Sequence, residues 1–257
     1  MKSVVTIIIT NFNKEKYIKK CLDSCLDQSY KNFEICVVDN NSTDNSLKII
    51  NKFRNKVRVF SIPRSFKTGP QNQLFCIQKM VNKSKGKIIC LLDSDDFFYK
   101  NKLKEIVNTI KKKKKKFIFD KPVLSNNKKF NLKNKKSKYI WPTIFPSSSI
   151  SFLKKEFKNF NKLCFLKKNK FCYLAVDFRI QVYAMLIKKN YEIINKKLTN
   201  YRQVKGGLES NWKKYSLPWW NRRYQAHLYL RDLFKSKNIK FNFTVDFMSS
   251  KLLSNFS

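Results

Sequence analysis

Residues 88–98 read IICLLDSDDFF, a run of low polarity that ends in three aspartates within four positions. The run is typical of a strand that is covered on both faces, as in a parallel sheet. On an extended segment Asp93 and Asp95 point to the same side. Two carboxylates held together repel, and one takes up a proton unless a cation intervenes. The stretch therefore predicts a buried strand that delivers two carboxylates to a cation.

The aspartates also have a plainer interpretation, in which they cap the next helix. Capping needs one acid, which Asp96 could supply, and it explains neither Asp93 nor Asp95. Mg²⁺ accepts one or two carboxylates together with substrate phosphates. We therefore favour a divalent cation, Mg²⁺ or Mn²⁺, that is bound by Asp93 and Asp95 together with a diphosphate.

Similar strand-like runs alternate with amphipathic segments through the first hundred residues. The predicted strands are 4–9, 33–38, 57–62 and 88–92, and the predicted helices are one capped by Asn13, then 42–53, 70–82 and 103–110. Strand alternating with helix at this spacing indicates βαβ units. The fold class is therefore α/β, with a mostly parallel sheet flanked by helices.

The second half of the chain gives weaker signals. Six lysines at 111–116 open a stretch to about 140 that predicts a solvated loop or helix end, with lipid headgroup contact as the second choice. Residues 139–153 are strand-like, 174–187 predict a helix, and 191–195 predict a strand.

The charge of the chain is strongly positive. There are 56 Lys and Arg residues against 17 Asp and Glu, a net charge of +39. Such a field attracts polyanions, so a non-catalytic polyanion-binding protein is one alternative. However, the lysines are dispersed and no nucleic-acid-binding motif is visible, so nucleic acid is not an expected partner.

Cysteine usage and hydropathy bear on the compartment. Seven cysteines occur, mostly inside apolar runs and without a CxxC motif, which favours buried thiols in a reducing compartment. The first strand leaves no room for a signal peptide, and no stretch reaches the roughly 18 apolar residues of a membrane span. We expect a cytoplasmic protein, with peripheral membrane contact left open.

Three polar clusters follow predicted strands, at residues 10–13, 39–42 and 93–96. In open α/β sheets, ligands bind outside the carboxyl ends of the strands. Asp39 could accept a hydrogen bond from a ring N–H of a nucleobase, although a turn with a helix cap is the favoured explanation of that cluster taken alone. The convergence of the three clusters carries more weight than any one of them and indicates a ligand site.

The sequence resembles the family-2 glycosyltransferases of the GT-A fold, which use nucleotide-sugar donors. Residues 5–46 look like the opening of that family, 69–72 (GPQN) are similar to its G-x-x-N, and 86–96 (GKIICLLDSDD) look like the segment that ends in its metal-binding DxD. The resemblance is strong over about 3–100, thinner through 139–205 and absent beyond.

The resemblance implies roles for particular residues. Asp39 would bind the base, often uracil, and Asp93 and Asp95 stand at the DxD positions. Thr10-Asn11 replace the usual Pro-Thr. The implied donor-binding residues are Thr10, Asn11, Asn13, Asp39, Asn72, Asp93, Ser94 and Arg202. Arg202 belongs to a Tyr-Arg pair that closes the acceptor side in many relatives, although a surface salt bridge is an equal alternative.

The catalytic base of the family is usually the aspartate of a Glu-Asp pair at the start of a later helix, and Val176-Asp177 is the best match. The apolar setting of Asp177 would raise its pKa toward that of a useful base. The alternative is an aspartate that interacts with the helix dipole or with Arg179.

The expected protein is a single GT-A domain over residues 1–207, with a helical extension at 208–257. Residues 1–100 would bind the nucleotide sugar and 101–207 would shape the acceptor side. The expected reaction is metal-assisted, inverting transfer of a sugar, from a uridine diphosphate donor, to a glycan or lipid-linked glycan of the cell envelope. A DxD phosphohydrolase is disfavoured because Asn11 and Asn13 stand where its nucleophilic aspartate would be.

The tail from residue 212 is rich in aromatic and basic residues. On a helix, Trp220, Tyr224 and Leu228 form one stripe between Arg222 and Arg223. Such a stripe suits an anionic bilayer interface, but packing on the core is slightly favoured.

Overall fold

Two sheets organise the computed structural model, which describes residues 4–125, 144–162, 170–204 and 213–254. Within these residues the strands are β1 (Val5–Asn11), β2 (Phe33–Asp39), β3 (Arg58–Ser61), β4 (Ile88–Asp93), β5 (Phe97–Phe98), β6 (Phe117–Asp120), β7 (Val123–Leu124), β8 (Ile150–Leu153), β9 (Tyr191–Ile194) and β10 (Thr199–Tyr201). The large sheet has the order β3-β2-β1-β4-β8-β6-β9, and the small sheet has the order β5-β10-β7.

Helices cover both faces of the large sheet. They are α1 (Glu15–Leu26), α2 (Ser46–Asn51), α3 (Gly69–Lys83), α4 (Lys102–Lys113), α5 (Lys154–Phe160), α6 (Val176–Gln181), α7 (Leu217–Lys235) and α8 (Val245–Ser254). A 3₁₀ turn at Ser147–Ser149 precedes β8, and α6 continues as a π-helical segment at Val182–Lys188. The predicted α/β class, with a mostly parallel sheet, is confirmed.

The strand β1 lies inside the sheet between two buried layers. Ile7 and Ile9 pack with residues of α1 and α4, whereas Ile8 packs with residues of α3 and α7. Side chains alternate across a strand, so a strand that is buried on both faces reads as a continuous apolar run. This explains why the first strands could be recognised in the sequence.

The strand β8 is the exception to the parallel order. It pairs antiparallel with β4 on one side and with β6 on the other. The strand that completes the middle of the sheet therefore comes from residues 150–153, more than 50 positions after β4 in the chain.

Some predicted boundaries were wrong. The sequence analysis missed β5, β6, β7 and β10, which have only two, four, two and three residues. The helix predicted at 42–53 begins only at Ser46, because Ser42 is used in a turn against Asp39. Asn13 does not cap α1: its φ is 51°, and the helix begins at Glu15.

The described part of the C-terminal tail is helical and packs on the core. Ala226, Tyr229 and Leu230 of α7 are buried in the layer that also contains α3 residues. Trp220, Tyr224 and Leu228 are half-buried, and Leu228 packs against that layer, which agrees with the favoured packing interpretation. No helix in the described ranges is both long and apolar enough to cross a bilayer.

The cysteines of the described residues are free thiols. Cys21, Cys25, Cys36, Cys76 and Cys90 are buried, and Cys172 is half-buried. Cys164 lies outside the described residues.

Candidate active site

Three strand ends bring the polar clusters together at one edge of the large sheet. In the parallel register Asn11 pairs with Asp39, and Thr10 pairs with Asp93. The carboxyl ends of β1, β2 and β4 therefore share an edge, as predicted from the sequence. We call this edge the carboxyl edge.

The first corner of this edge is built around the buried Asp39. Its Oδ1 accepts hydrogen bonds from Asn11 Nδ2 at 2.7 Å and from Ser42 Oγ at 2.6 Å, while its Oδ2 accepts one from the Ser42 N–H at 2.9 Å. Both neighbours come from strand ends or the following turn, so the carboxylate is held in one orientation. Asn13 bonds to Thr43 beside it.

An aromatic ring lies beside this corner. Phe12 is 38% exposed, and the Arg64 guanidinium lies 3.9 Å from its ring centroid. The sequence analysis did not assign either residue to the site, although Phe12 stands inside the first polar cluster. A flat apolar ring, a guanidinium and a fixed carboxylate together suit a planar ring with an N–H donor.

The second corner contains Asp93. Its Oδ1 accepts from Gln73 Nε2 at 2.7 Å and from Thr10 Oγ1 at 3.3 Å, and its Oδ2 accepts from Ser147 Oγ. Burial, together with the charge of Asp95, raises the pKa of Asp93 to about 7. The charge of Asp177 acts in the same direction, with a smaller effect.

The other two aspartates of the turn have different partners. Asp95 Oδ2 lies 3.3 Å from the Lys14 ammonium, so a positive charge of the protein already faces it. Asp96 is buried and accepts from Ser148 Oγ at 2.5 Å and from the Arg202 N–H at 2.8 Å. Burial raises the pKa of Asp96 well above its usual range. Asp96 therefore connects the turn after β4 with Ser148 and Arg202 through hydrogen bonds, and it does not cap α4.

The donor atoms around Asp93 and Asp95 fit a hard divalent cation. Among the described residues no group of three or more His, Cys, Asp or Glu side chains is arranged to hold a metal. Two carboxylates nevertheless suffice where phosphate oxygens complete the shell, as is usual for Mg²⁺. Burial, and next the repulsion from Asp95, raise the pKa of Asp93, and a bound cation would offset both by stabilising the ionised carboxylate.

Asp177 is buried in the first turn of α6. Its Oδ1 accepts from the Phe178 N–H at 2.6 Å. The Arg179 guanidinium donates to the carbonyl oxygens of Phe171 at 2.6 Å and Leu174 at 3.2 Å. The start of α6 thus holds the Asp177 carboxylate in a buried position.

The predicted residues Ser94, Asn72 and Arg202 mainly shape the backbone of the site. The Ser94 N–H donates to the Thr10 carbonyl at 3.2 Å. The Asn72 side chain bonds to main-chain groups of the loop at 65–68. Arg202 donates to the carbonyl oxygens of Asp95 and Asp96 and lies over the Tyr17 ring at 4.9 Å. Direct contact of Ser94, Asn72 and Arg202 with a donor stays a prediction.

A buried network behind the carboxyl edge was missed by the sequence analysis. Lys102 and Asp120 form a fully buried ion pair, and the Lys102 ammonium also donates to Thr199 Oγ1 at 2.9 Å and to the Ser148 carbonyl at 3.2 Å. The Asp93 N–H donates in turn to Ser148 Oγ at 3.0 Å. The run of three serines at 147–149 was the one sequence signal that could have indicated this network.

A pocket of about 180 Å³ lies between α6 and α7. Its lining includes Leu174, Phe178, Trp219, Arg222 and Ala226. Phe178 follows Asp177 directly, so the pocket opens beside the second carboxylate-bearing element of the site. Its walls are mostly apolar, with guanidinium groups among them.

Comparison with known sequences identifies related proteins. The family model described as Glycosyl transferase family 2 matches residues 6–193. An uncharacterized glycosyltransferase of Haemophilus influenzae is 35% identical over 108 residues, 41% of each chain. The UDP-Glc:alpha-D-GlcNAc-diphosphoundecaprenol beta-1,3-glucosyltransferase WfaP of Escherichia coli is 33% identical over 111 residues, 43% of each chain. The matches thus span less than half the length of these relatives.

Solved structures match nearly the whole chain. Staphylococcus aureus TarS 1–349 in complex with UDP-GlcNAc superposes with a TM-score of 0.69 at 18% identity, covering 98% of this chain and 70% of that chain. The Pyrobaculum calidifontis mannosyltransferase PcManGT in complex with GDP-Man and Mn²⁺ gives 0.59 at 13% identity, covering 100% and 71%. At these identities the match concerns the fold, and it confirms the predicted GT-A architecture.

Proposed function

This chain belongs to glycosyl transferase family 2, and we propose that it transfers a sugar from a nucleotide diphosphate sugar to a hydroxyl group of an acceptor. The observation that carries the proposal is the meeting of three groups at the carboxyl edge. Asp39 with Phe12 forms a base corner, Asp93 with Asp95 forms a diphosphate corner, and Asp177 lies close enough to raise the pKa of Asp93.

The base corner favours a uridine donor. Asp39 Oδ2 accepts a hydrogen bond from the Ser42 N–H, and a carboxylate oxygen can accept a second. The ring N–H of uracil would supply it while the base lies against Phe12. The names of WfaP and of the TarS complex include UDP sugars, which supports the same choice.

Asp93 and Asp95 would hold a divalent cation, Mg²⁺ or Mn²⁺. When bound, such an ion would neutralise the charge that develops on the departing diphosphate. The Lys14 ammonium forms an ion pair with Asp95 and would add a further positive charge near the same phosphates. Thr10 and Gln73 orient Asp93 for this role through their hydrogen bonds.

Asp177 would act as the general base. It removes the proton from the acceptor hydroxyl as that oxygen attacks the anomeric carbon, and the bond from that carbon to the diphosphate breaks. Attack from the side opposite the leaving group inverts the anomeric centre. The apolar pocket beside Phe178 would receive part of the acceptor.

The acceptor we propose is a glycan or lipid-linked glycan of the cell envelope, used at the cytoplasmic face of the membrane. WfaP is named for a diphosphoundecaprenol-linked acceptor, which is a lipid-linked glycan. Nucleic acid is not a proposed partner, because the carboxylates of the site would repel phosphate without a bridging cation.

A donor screen with a matched acid variant tests the proposal. Purified protein is incubated with a panel of nucleotide sugars and Mg²⁺, and released nucleoside diphosphate is measured with and without lipid-linked acceptors. We expect turnover of a UDP-sugar, and a loss of at least about 100-fold in Asp95→Asn or in excess chelator. The control Asp27→Asn changes an exposed aspartate at the end of α1 and should retain full turnover. Full activity of Asp95→Asn, or hydrolysis of simple phosphate esters without sugar transfer, would contradict the proposal.

A further inference from the structure

The last described helix, α8, carries its apolar side chains on the outside. Val245, Met248 and Leu252 are 78%, 58% and 62% exposed and lie at spacings of three and four residues. The opposite stripe, which faces the protein, consists of Phe247 and two buried serines, Ser250 and Ser254. An amphipathic surface helix normally turns its apolar stripe inward. The orientation of α8 is therefore the reverse of the usual one.

This orientation is fixed by specific contacts with α7. Asp246 receives two hydrogen bonds from Arg223, at 2.5 and 2.7 Å, and lies 2.8 Å from His227 Nε2. The Phe247 ring contacts the rings of Tyr224 and His227, with centroids 5.8 and 5.6 Å apart. An ion pair and ring contacts hold the serine stripe inward, so the apolar stripe must face outward.

Further exposed apolar residues and lysines extend the surface. Phe243 is 65% exposed and Ile239 is 39% exposed, just before α8. Lys237, Lys240 and Lys251 are exposed, and residues 236–257 contain no acid except Asp246. Because Asp246 is paired with Arg223, the outer side of this segment is apolar and positively charged.

Charge decides among the partners that could cover such a surface. A second copy of this chain would carry the same net charge of +39, and charge of one sign keeps proteins apart. A nucleic acid would match the lysines but would leave the apolar stripe in water. An anionic lipid bilayer matches both, since apolar side chains enter the interface while lysines meet the headgroups.

We propose that the outer face of α8, together with Phe243, docks this protein on an anionic bilayer. This differs from the stripe predicted on α7, whose residues Trp220, Tyr224 and Leu228 are half-buried. Only the purpose of this docking rests on the proposed function: it would bring the enzyme to lipid-linked acceptors. Binding to lipid requires neither donor nor catalysis.

Vesicle co-sedimentation of the full chain tests the proposal. The wild type should bind vesicles that contain phosphatidylglycerol and should bind pure phosphatidylcholine vesicles at least roughly tenfold more weakly. The variant Val245→Ser with Met248→Ser and Leu252→Ser should lose at least roughly tenfold in binding to the anionic vesicles. The control Ile193→Ser removes an exposed apolar side chain from β9 and should bind as the wild type does.

Two further measurements keep the test decisive. Circular dichroism and UDP binding of the triple variant should equal those of the wild type, because the changed side chains are exposed and remote from the carboxyl edge. Unchanged vesicle binding by the triple variant would overturn the proposal, as would equal binding of the wild type to both vesicle types. A wild-type dimer in sedimentation equilibrium that the triple variant abolishes, without vesicle binding, would assign the face to a second copy instead. A protein that binds vesicles but transfers no sugar would refute the proposed function alone.

Discussion

The carboxyl edge and the outer face of α8 depart from the usual distribution of side chains in opposite ways. At the carboxyl edge, acidic side chains such as Asp39 and Asp96 are buried, and each is held by two or more hydrogen bonds. On α8, Val245 and Met248 are in water while Ser250 is buried. Burying charge and exposing apolar surface both cost free energy. A fold retains such costs mainly where a ligand or a partner compensates for them.

The two regions differ in how firmly they are built. The carboxyl edge is fixed by strands in register and by a buried network, so its side chains are oriented before a ligand arrives. The face of α8 is held by one ion pair and a few rings on a single neighbouring helix. We therefore expect substitutions at the edge to have large effects and substitutions at α8 to have small ones.

The largest expected effect is that of Asp177→Asn. An amide of the same shape cannot take up the hydroxyl proton, so kcat should fall by roughly 10²–10⁴. Donor binding should change little, because Asp177 is proposed to act on the acceptor. Steady-state kinetics and UDP-sugar titration measure the two separately. A loss confined to donor affinity would show that Asp177 belongs to the donor corner.

The network behind the edge should give the largest effect on stability. Lys102→Met leaves Asp120 buried without its partner, and we expect the free energy of unfolding to fall by about 3–5 kcal/mol. Lys100→Met, which changes an exposed lysine two positions earlier, should cost less than about 0.5 kcal/mol. Urea denaturation at neutral pH measures both variants. Equal effects would mean that the buried pair does not stabilise the fold.

The pKa of Asp93 gives a pH-dependent prediction for the same edge. Because this pKa is raised to about 7, protonated Asp93 adds to the free energy of unfolding of the metal-free protein below about pH 4. This stabilisation is lost as the pH rises to 7. A cation must displace the proton, so Mg²⁺ affinity should fall roughly tenfold per pH unit below 7. Isothermal titration calorimetry without donor measures this. In Asp93→Asn the residual affinity should lose this slope, and an identical slope in both proteins would assign the proton to another group.

The smallest effect is expected where α8 meets α7. Hydrogen bonds from His227 and Arg223 outweigh partial burial and hold the pKa of Asp246 at about 2. Ionised Asp246 therefore adds to the free energy of unfolding at pH values above the ordinary carboxyl pKa. This stabilisation is lost as the pH falls toward 2. Asp246→Asn should loosen α8 by about 1 kcal/mol, seen as faster hydrogen exchange of residues 245–254 alone. Asp23→Asn is the exposed control. Equally faster hydrogen exchange in that variant would contradict a specific role of Asp246 in holding α8 on α7.

The sequence predicted the parts of the fold and site that depend on neighbouring residues. The continuous apolar run of β4 leads directly into Asp93 and Asp95, and the first strands repeat the pattern. Strand β6 was missed because its four residues are recognisable only through their pairing with β8 and β9.

The missed site residues depend on contacts between distant parts of the chain. Ser147 meets Asp93 across 54 positions, and Lys102 meets Thr199 across 97. Arg64 approaches Phe12 from another strand end. The orientation of α8 was unpredictable for a different reason, since its pattern alone favours turning Val245, Met248 and Leu252 inward.

The insertion of β8 between β4 and β6 also bears on the order in which parts of the site can form during synthesis of the chain. Strands β1 to β4 are neighbours in the order β3-β2-β1-β4, and all four precede residue 150, so a growing chain can assemble them before residue 150 has been synthesised. Ser147 and Ser148, which hold Asp93 and Asp96, lie just before β8 and arrive with it. A nascent chain that ends before residue 147 would therefore contain Asp39 with its Asn11 and Ser42 partners, but not the serines that bind Asp93 and Asp96. Asp177 follows later still, so the nucleobase side of the carboxyl edge can form before the side that carries the proposed chemistry.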